Sequence, residues 1–208
     1  RSWFATKASA GGVEIVGLPD SLKLSAYEVD VVLNNTAADG TVVDFAKTKQ
    51  LLGVSFGSEE TAVLDMKGSD GKLFKASAVF DLKVSDFFVV NGLLSLEMST
   101  QKVVLSGGGT VTTDMFAFGA GNLNAWVGVG GVGLRLEDVD FQLAVFKEKN
   151  ANGTPMVNAR KWTALKASAG LARLEGLESI IQIEGNDLMV AVNVASVDKK
   201  TIDFLATK

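Results

Sequence analysis

The chain has 208 residues, 47% of them apolar, and its 24 acidic and 20 basic side chains leave a net charge of −4. That composition can build a sizeable core but lacks the excess of clustered Lys and Arg that marks a nucleic-acid surface. His and Cys are both absent, which removes disulfides, thiolate metal sites and the commonest general base together.

Along the chain, apolar and polar residues alternate with period two, the signature of strands with one buried face. The first runs are 13–16, 22–26 and 29–33, followed by the turn pair Asp39-Gly40. Residues 46–52 are the one place where a short helical turn is expected, after Asp44. A run at 63–66 and the turn Ser69-Asp70-Gly71 lead to the clearest strand. There Phe74, Ala76, Ala78, Phe80, Leu82 and Val84 share one face, with Lys75, Ser77, Asp81 and Lys83 between them. Runs at 87–90, 94–98 and 103–105 follow, with a turn expected at Asn91-Gly92 and another at Gly107-Gly108-Gly109. Next come 115–118 and 123–129, then 132–136 and 139–145 on either side of a turn at Glu137-Asp138. Asn152-Gly153 precedes the last runs, 171–174, 181–183 and 188–192, with Gly185-Asn186-Asp187 as the final turn. Asn-Gly and Asp-Gly are strong turn words because these residues tolerate positive φ. The longest apolar runs fall far short of the roughly 18 residues of a spanning helix, so no transmembrane helix is expected. An all-β chain is therefore expected, as an elongated repeat-built antiparallel sheet structure of β-solenoid or prism type, with a β-sandwich as the alternative.

The end of the chain repeats its beginning. At a constant offset, residues 1–49 match residues 160–208, from Arg1, Trp3 and Lys7-Ala8-Ser9-Ala10-Gly11 against Arg160, Trp162 and Lys166-Ala167-Ser168-Ala169-Gly170 to Asp44-Phe45 against Asp203-Phe204. Most of the remaining pairs swap like for like, as Leu24 with Ile183 and Val43 with Ile202. Self-similarity at so long a period implies whole modules. Residues 1–49 are expected to be the closing segment of one unit, and residues 50–208 one full unit that ends in the second closing segment, as in a slice through a tandem array. A shorter echo, Lys75-Ala76-Ser77-Ala78, lies inside the unit and points to equivalent layers of a sheet.

Three stretches carry a resemblance: Asn124-Ala125-Trp126-Val127-Gly128-Val129-Gly130-Gly131, Val139-Asp140-Phe141-Gln142-Leu143-Ala144-Val145 and Trp162-Thr163-Ala164-Leu165-Lys166-Ala167-Ser168-Ala169-Gly170. Together they are similar to the long tandem repeats of giant bacterial surface and secreted proteins, adhesin-like and associated with RTX-type calcium-binding segments. The resemblance implies an extracellular or cell-surface module whose neighbours are further units of the same protein. Members of that family often carry an Asp- and Asn-rich insertion where Val129-Gly130-Gly131-Val132 here turns straight into the next strand.

Candidate sites are few. Asn34, Asn35, Asp39, Asn193 and Asp198 could offer oxygens to calcium, the only cofactor entertained, though none shows the D-x-D-x-D-G spacing of a calcium loop. The glycine clusters 107–109 and 128–133 lack the following helix that binds phosphate, so bulges or hairpins are expected. The acidic neighbours Glu59-Glu60 and Glu137-Asp138-Val139-Asp140 fall on alternate faces of strands and make no catalytic pair. Trp3, Trp126 and Trp162 could stack a sugar, but Trp3 and Trp162 hold the same phase of the repeat, which favours packing. The residues expected to matter are structural and sit at the repeat boundary: Trp3, Trp162, Phe45, Phe204, Gly17 and Gly176. The function expected is that of a non-enzymatic spacer and self-associating surface, with homotypic assembly as the partner interaction. A glycan-binding adhesive module and an outer-membrane or lipid-carrying β protein are the alternatives.

Overall fold

In the computed structural model, the described residues are 1–14, 19, 21–48, 53–56, 60–150 and 156–207. Among these residues ten strands run in chain order: β1 (Ala5–Glu14), β2 (Leu22–Asn34), β3 (Gly53–Phe56), β4 (Glu60–Val63), β5 (Leu73–Val84), β6 (Phe88–Val104), β7 (Thr110–Val129), β8 (Val132–Glu148), β9 (Lys161–Glu175) and β10 (Glu184–Val194). Eight of them form one antiparallel sheet in the order β1-β2-β5-β6-β7-β8-β9-β10, and β3 and β4 form a separate hairpin. The chain is all-β, as the alternation predicts. Apart from β2 and β5, which the β3–β4 hairpin separates in sequence, neighbours in the sheet follow one another along the chain, and among the described residues the sheet stays open, with β1 and β10 each paired on one side.

Several expected turns are not turns. Asn91-Gly92 lies inside β6 and Glu137-Asp138 inside β8, so runs expected as separate short strands merge into two strands of 17 residues each; Gly185-Asn186-Asp187 lies inside β10, and the run expected at 181–183 is not a strand. The physical reason is that positive φ serves a bulge as well as a turn. Glu28, Gly92, Asn122, Asp138 and Asp187 all have positive φ, and the β2–β5, β6–β7 and β7–β8 registers shift beside the first four of them. The first four form a row of bulges across the sheet, which locally increases its twist, whereas β9 and β10 keep their register past Asp187. At Gly92 a Cβ would sit 2.8 Å from the Leu123 Cα and 2.9 Å from the Asn122 carbonyl, so the strand β7 approaches too closely for any side chain.

The true reversals sit where the sheet ends. Gly107-Gly108-Gly109 links β6 to β7 and Gly130-Gly131 links β7 to β8, both at positive φ. The helical turn expected from residue 46 is a single 3-10 turn, Phe45–Lys47, with the Asp44 carboxylate accepting the Lys47 N–H at 3.1 Å. Residues 49–52, Glu59, Asn152-Gly153 and Gly17 lie outside the described residues.

Because the sheet is a single layer, little of it is deeply buried. The chain exposes 13417 Å² of surface, where a folded monomer of 21.8 kDa would ordinarily expose roughly 9,300 Å². The two apolar clusters are small and lie where connecting segments fold over the sheet end. One gathers Val103, Leu105, Phe146, Trp162 and Ile202, the other Phe45, Met66 and Leu73.

Candidate functional site

The feature with the most internal structure is the pair of matched segments. Each begins with the outer hairpin of the sheet: β1 and β2 at one end, β9 and β10 at the other. Each then crosses a tight loop and closes on a short helical turn. The contacts that fix the loop recur one for one. The Trp3 indole N–H donates to the Thr41 carbonyl at 3.2 Å, and the Trp162 indole N–H to the Lys200 carbonyl at 3.0 Å. Asn34 donates its amide to the Val43 carbonyl at 2.9 Å, and Asn193 to the Ile202 carbonyl at 2.8 Å. Asp39 accepts from the Thr41 N–H and Asp198 from the Lys200 N–H.

The ion pairs follow the same rule: Arg1 meets Asp39 at 2.7 Å and Arg160 meets Asp198 at 2.7 Å. So do the closing turns, with Asp44 accepting from the Lys47 N–H and Asp203 from the Ala206 N–H. Identical side chains at Trp, Asn and Asp positions thus make identical bonds. Asn in particular is placed because its amide can satisfy a carbonyl that the loop leaves without a strand partner.

What differs is what covers each segment. Trp162 is 1% exposed, because β8 lies beside β9 and puts Phe146 directly opposite it. Trp3 is 43% exposed, and among the described residues no strand pairs with the outer edge of β1. At the other end of the segments the order is reversed. Phe45 is 5% exposed beneath Met66 and Leu73, whereas Phe204 is 47% exposed and meets the Phe146 ring at a tilt. Ile202 is buried by its bridge to Leu105 and its packing on Val103. The first segment is therefore covered by residues that follow it in the chain, and the second by residues that precede it. Gly176 ends β9 at positive φ, and a Cβ there would collide with the Gly131 carbonyl, so the β7–β8 hairpin tip seats against a bare backbone.

An ion-pair cluster anchors the second segment to β8. Arg160 donates to both Glu148 oxygens, at 2.8 and 2.6 Å, and to Asp198 at 2.7 Å, and its guanidinium stacks over the Trp162 ring. These hydrogen bonds hold the Glu148 and Asp198 carboxyls below the usual carboxylate range and raise the Arg160 pKa. Asp39 is lowered as well, first by its hydrogen bond with the Thr41 hydroxyl. No sequence spacing announces Glu148 as a partner of Arg160, because the two meet only across the β8–β9 connection.

Of the loop oxygens considered for calcium, those of Asn35, Asp39 and Asp198 accept protein N–H groups, whereas the buried Asn34 Oδ1 has no hydrogen-bond partner. Asp39 and Asp198 accept backbone N–H groups and pair with arginines, as above. Among the described residues no three His, Cys, Asp or Glu side chains gather to hold a metal. Glu137 faces Arg135 and Arg173 across β8 and β9, and Asp140 accepts the Asn122 N–H. Trp126 lies across a glycine pair: a Cβ on Gly128 or Gly133 would come within 2.8 or 2.9 Å of its ring. Among the described residues no helix is long and apolar enough to cross a membrane.

The open edges complete the picture. β10 carries Leu188, Met189, Val190, Val192 and Val194, each 44% exposed or more. The equivalent residues of β2, with β5 beside them, are mostly half-buried. Edge strands are normally blunted by Lys, Pro or shortness; β10 is 11 residues long and has neither Lys nor Pro. Compared with family models, curated proteins and solved structures, the chain matches none of them.

Proposed function

We propose that the chain is a non-enzymatic structural and adhesive module of a long extracellular bacterial protein, acting as a spacer built by extending one antiparallel sheet from unit to unit. The observation that carries this is the complementary cover of the two matched segments. In a row of units, every segment would have what the first has on one side and what the second has on the other. Trp3 would then be covered as Trp162 is, and Phe204 as Phe45 is. The large exposed area and the apolar, Lys- and Pro-free stretch 188–194 of the β10 edge support the same conclusion, since stability in such rows comes from nearest-neighbour contacts. The sequence resemblance to giant bacterial surface repeats supports the extracellular setting. Trp3, Trp162, Phe45, Phe204, Gly176 and Gly17 are the boundary residues of this module.

The test compares the whole 208-residue chain with a chain of residues 50–159, which lacks both matched segments. The whole chain is expected to melt in one cooperative transition by circular dichroism, and the shorter chain to aggregate or to show no transition. Equal melting of the two would refute the boundary role of the segments.

A further inference from the structure

The β10 edge has a partner whose register can be read from the chain itself. β2 is flanked on both sides by strands bearing Lys-Ala-Ser-Ala, and both meet it at the same rungs: Lys7 and Lys75 lie opposite Val32, Ala8 and Ala76 opposite Val31, Ser9 and Ser77 opposite Asp30. β10 is the counterpart of β2, and on its inner side β9 places Lys166, Ala167 and Ser168 opposite Ala191, Val190 and Met189, the corresponding rungs. Its outer side lacks the second such strand. The edge is nevertheless already shaped for one. Glu28 makes the bulge on the β5 side of β2, with φ 50°, and Asp187 repeats it in β10, with φ 51°, although no strand lies there.

Of the three strands bearing Lys-Ala-Ser-Ala, β5 and β9 are paired on both sides and β1 is paired on one. We infer that the outer edge of β10 binds β1 of a second copy of this chain, antiparallel, with Lys7, Ala8 and Ser9 of that copy opposite Ala191, Val190 and Met189. This rests on the module reading above: in a row of units a counterpart of β5 takes this edge, and for the separate 208-residue chain β1 of a second copy takes the same place in the same register. Strand direction agrees, because β1 and β5 both run antiparallel to β2. The faces agree as well, since Lys7 and Lys75 meet the same residue of β2. Repeated head to tail, the contact continues one sheet from molecule to molecule and never closes. It also brings the exposed Trp3 and Phe4 of the second copy to the end of the sheet where Phe204 is exposed.

The absence of Cys makes disulfide trapping a clean test. Chains carrying Ser9→Cys are mixed with chains carrying Met189→Cys, and separately Ala8→Cys with Val190→Cys, so that one of the two adjacent rungs offers the closer, non-hydrogen-bonded spacing. Under mild oxidation at least one mixture is expected to give a heterodimer on a non-reducing gel. Ala5→Cys mixed with Met189→Cys, four residues or roughly 13 Å out of register, is expected to lose it. Within one molecule the two edges lie seven strands apart, so every disulfide is intermolecular. Homodimers of either single variant in place of the heterodimer, or equal yield from the mismatched pair, would overturn the register. As a second measurement, sedimentation of the unsubstituted chain is expected to show species growing with concentration; a monomer up to the solubility limit would overturn the contact itself. In that case the module reading still stands or falls on the melting comparison, which uses no second molecule.

Discussion

Arg160 is the residue on which the second matched segment turns, because three of its hydrogen bonds join the β8 end to the loop that covers Trp162. Arg1 makes only the loop contact, with Asp39. The difference is legible only in three dimensions: sequence identity predicts equal roles, but Glu148 belongs to β8, which one segment has beside it and the other lacks. Its pH consequence has a definite sign. The Glu148 carboxyl is held below its ordinary value of 4.5 by Arg160, so between that value and the lower folded-state value the unfolded chain binds more protons and stability rises with pH. The contribution is fully present above 4.5 and is lost as pH falls through the folded-state value. Glu148→Gln is expected to cost about 1–3 kcal/mol at neutral pH and to flatten the acid side of a stability curve measured by urea unfolding. An unchanged acid limb would show that other carboxylates dominate it.

At the scale of elements, the period-two alternation placed most of the central strands, and residues 74–84 match β5 closely, but no expected run covered 5–12, 53–56 or 161–170, where small and polar residues blur the alternation. The boundaries were not legible, for a reason that concerns Asn and Gly themselves. Asn91-Gly92 and Glu137-Asp138 satisfy the local rules of a tight turn, and only the neighbouring strand decides that the chain continues straight through a bulge. Strand pairing is a non-local contact, invisible to a window of residues. The bulge row also explains why Gly92 cannot be replaced. Gly92→Ala would set a methyl 2.8 Å from the Leu123 Cα at a φ of 145°, where backbone has to move. A loss of at least about 2 kcal/mol is expected, read as a lower urea midpoint, while Gly107→Ala, with open space around it, costs only the positive-φ strain of about 1–2 kcal/mol. Equal effects of the two substitutions would mean that β7 does not press on β6 at this level.

For the whole molecule, the repeat was the most informative signal in the sequence, and its physical content lies in what the two segments lack. A lone Trp or Phe says nothing about its partners; two positions that make the same hydrogen bonds, one covered and one bare, are what supports the proposed contact between units. Phe204 provides the sharpest case. In the 208-residue chain Phe204→Ala is expected to cost about 1 kcal/mol or less, because the residue is half exposed, whereas Phe45→Ala is expected to cost about 3–5 kcal/mol as a buried aromatic truncation. When residues 50–208 are joined a second time after Lys208, the first Phe204 gains counterparts of Met66 and Leu73 beside it. Its truncation should then cost as much as that of Phe45, measured as the loss in unfolding free energy relative to the unsubstituted double chain. A cost that stays at the single-chain level would mean that the second unit folds apart from the first, and the continuous sheet would have to be abandoned as the principle of the array.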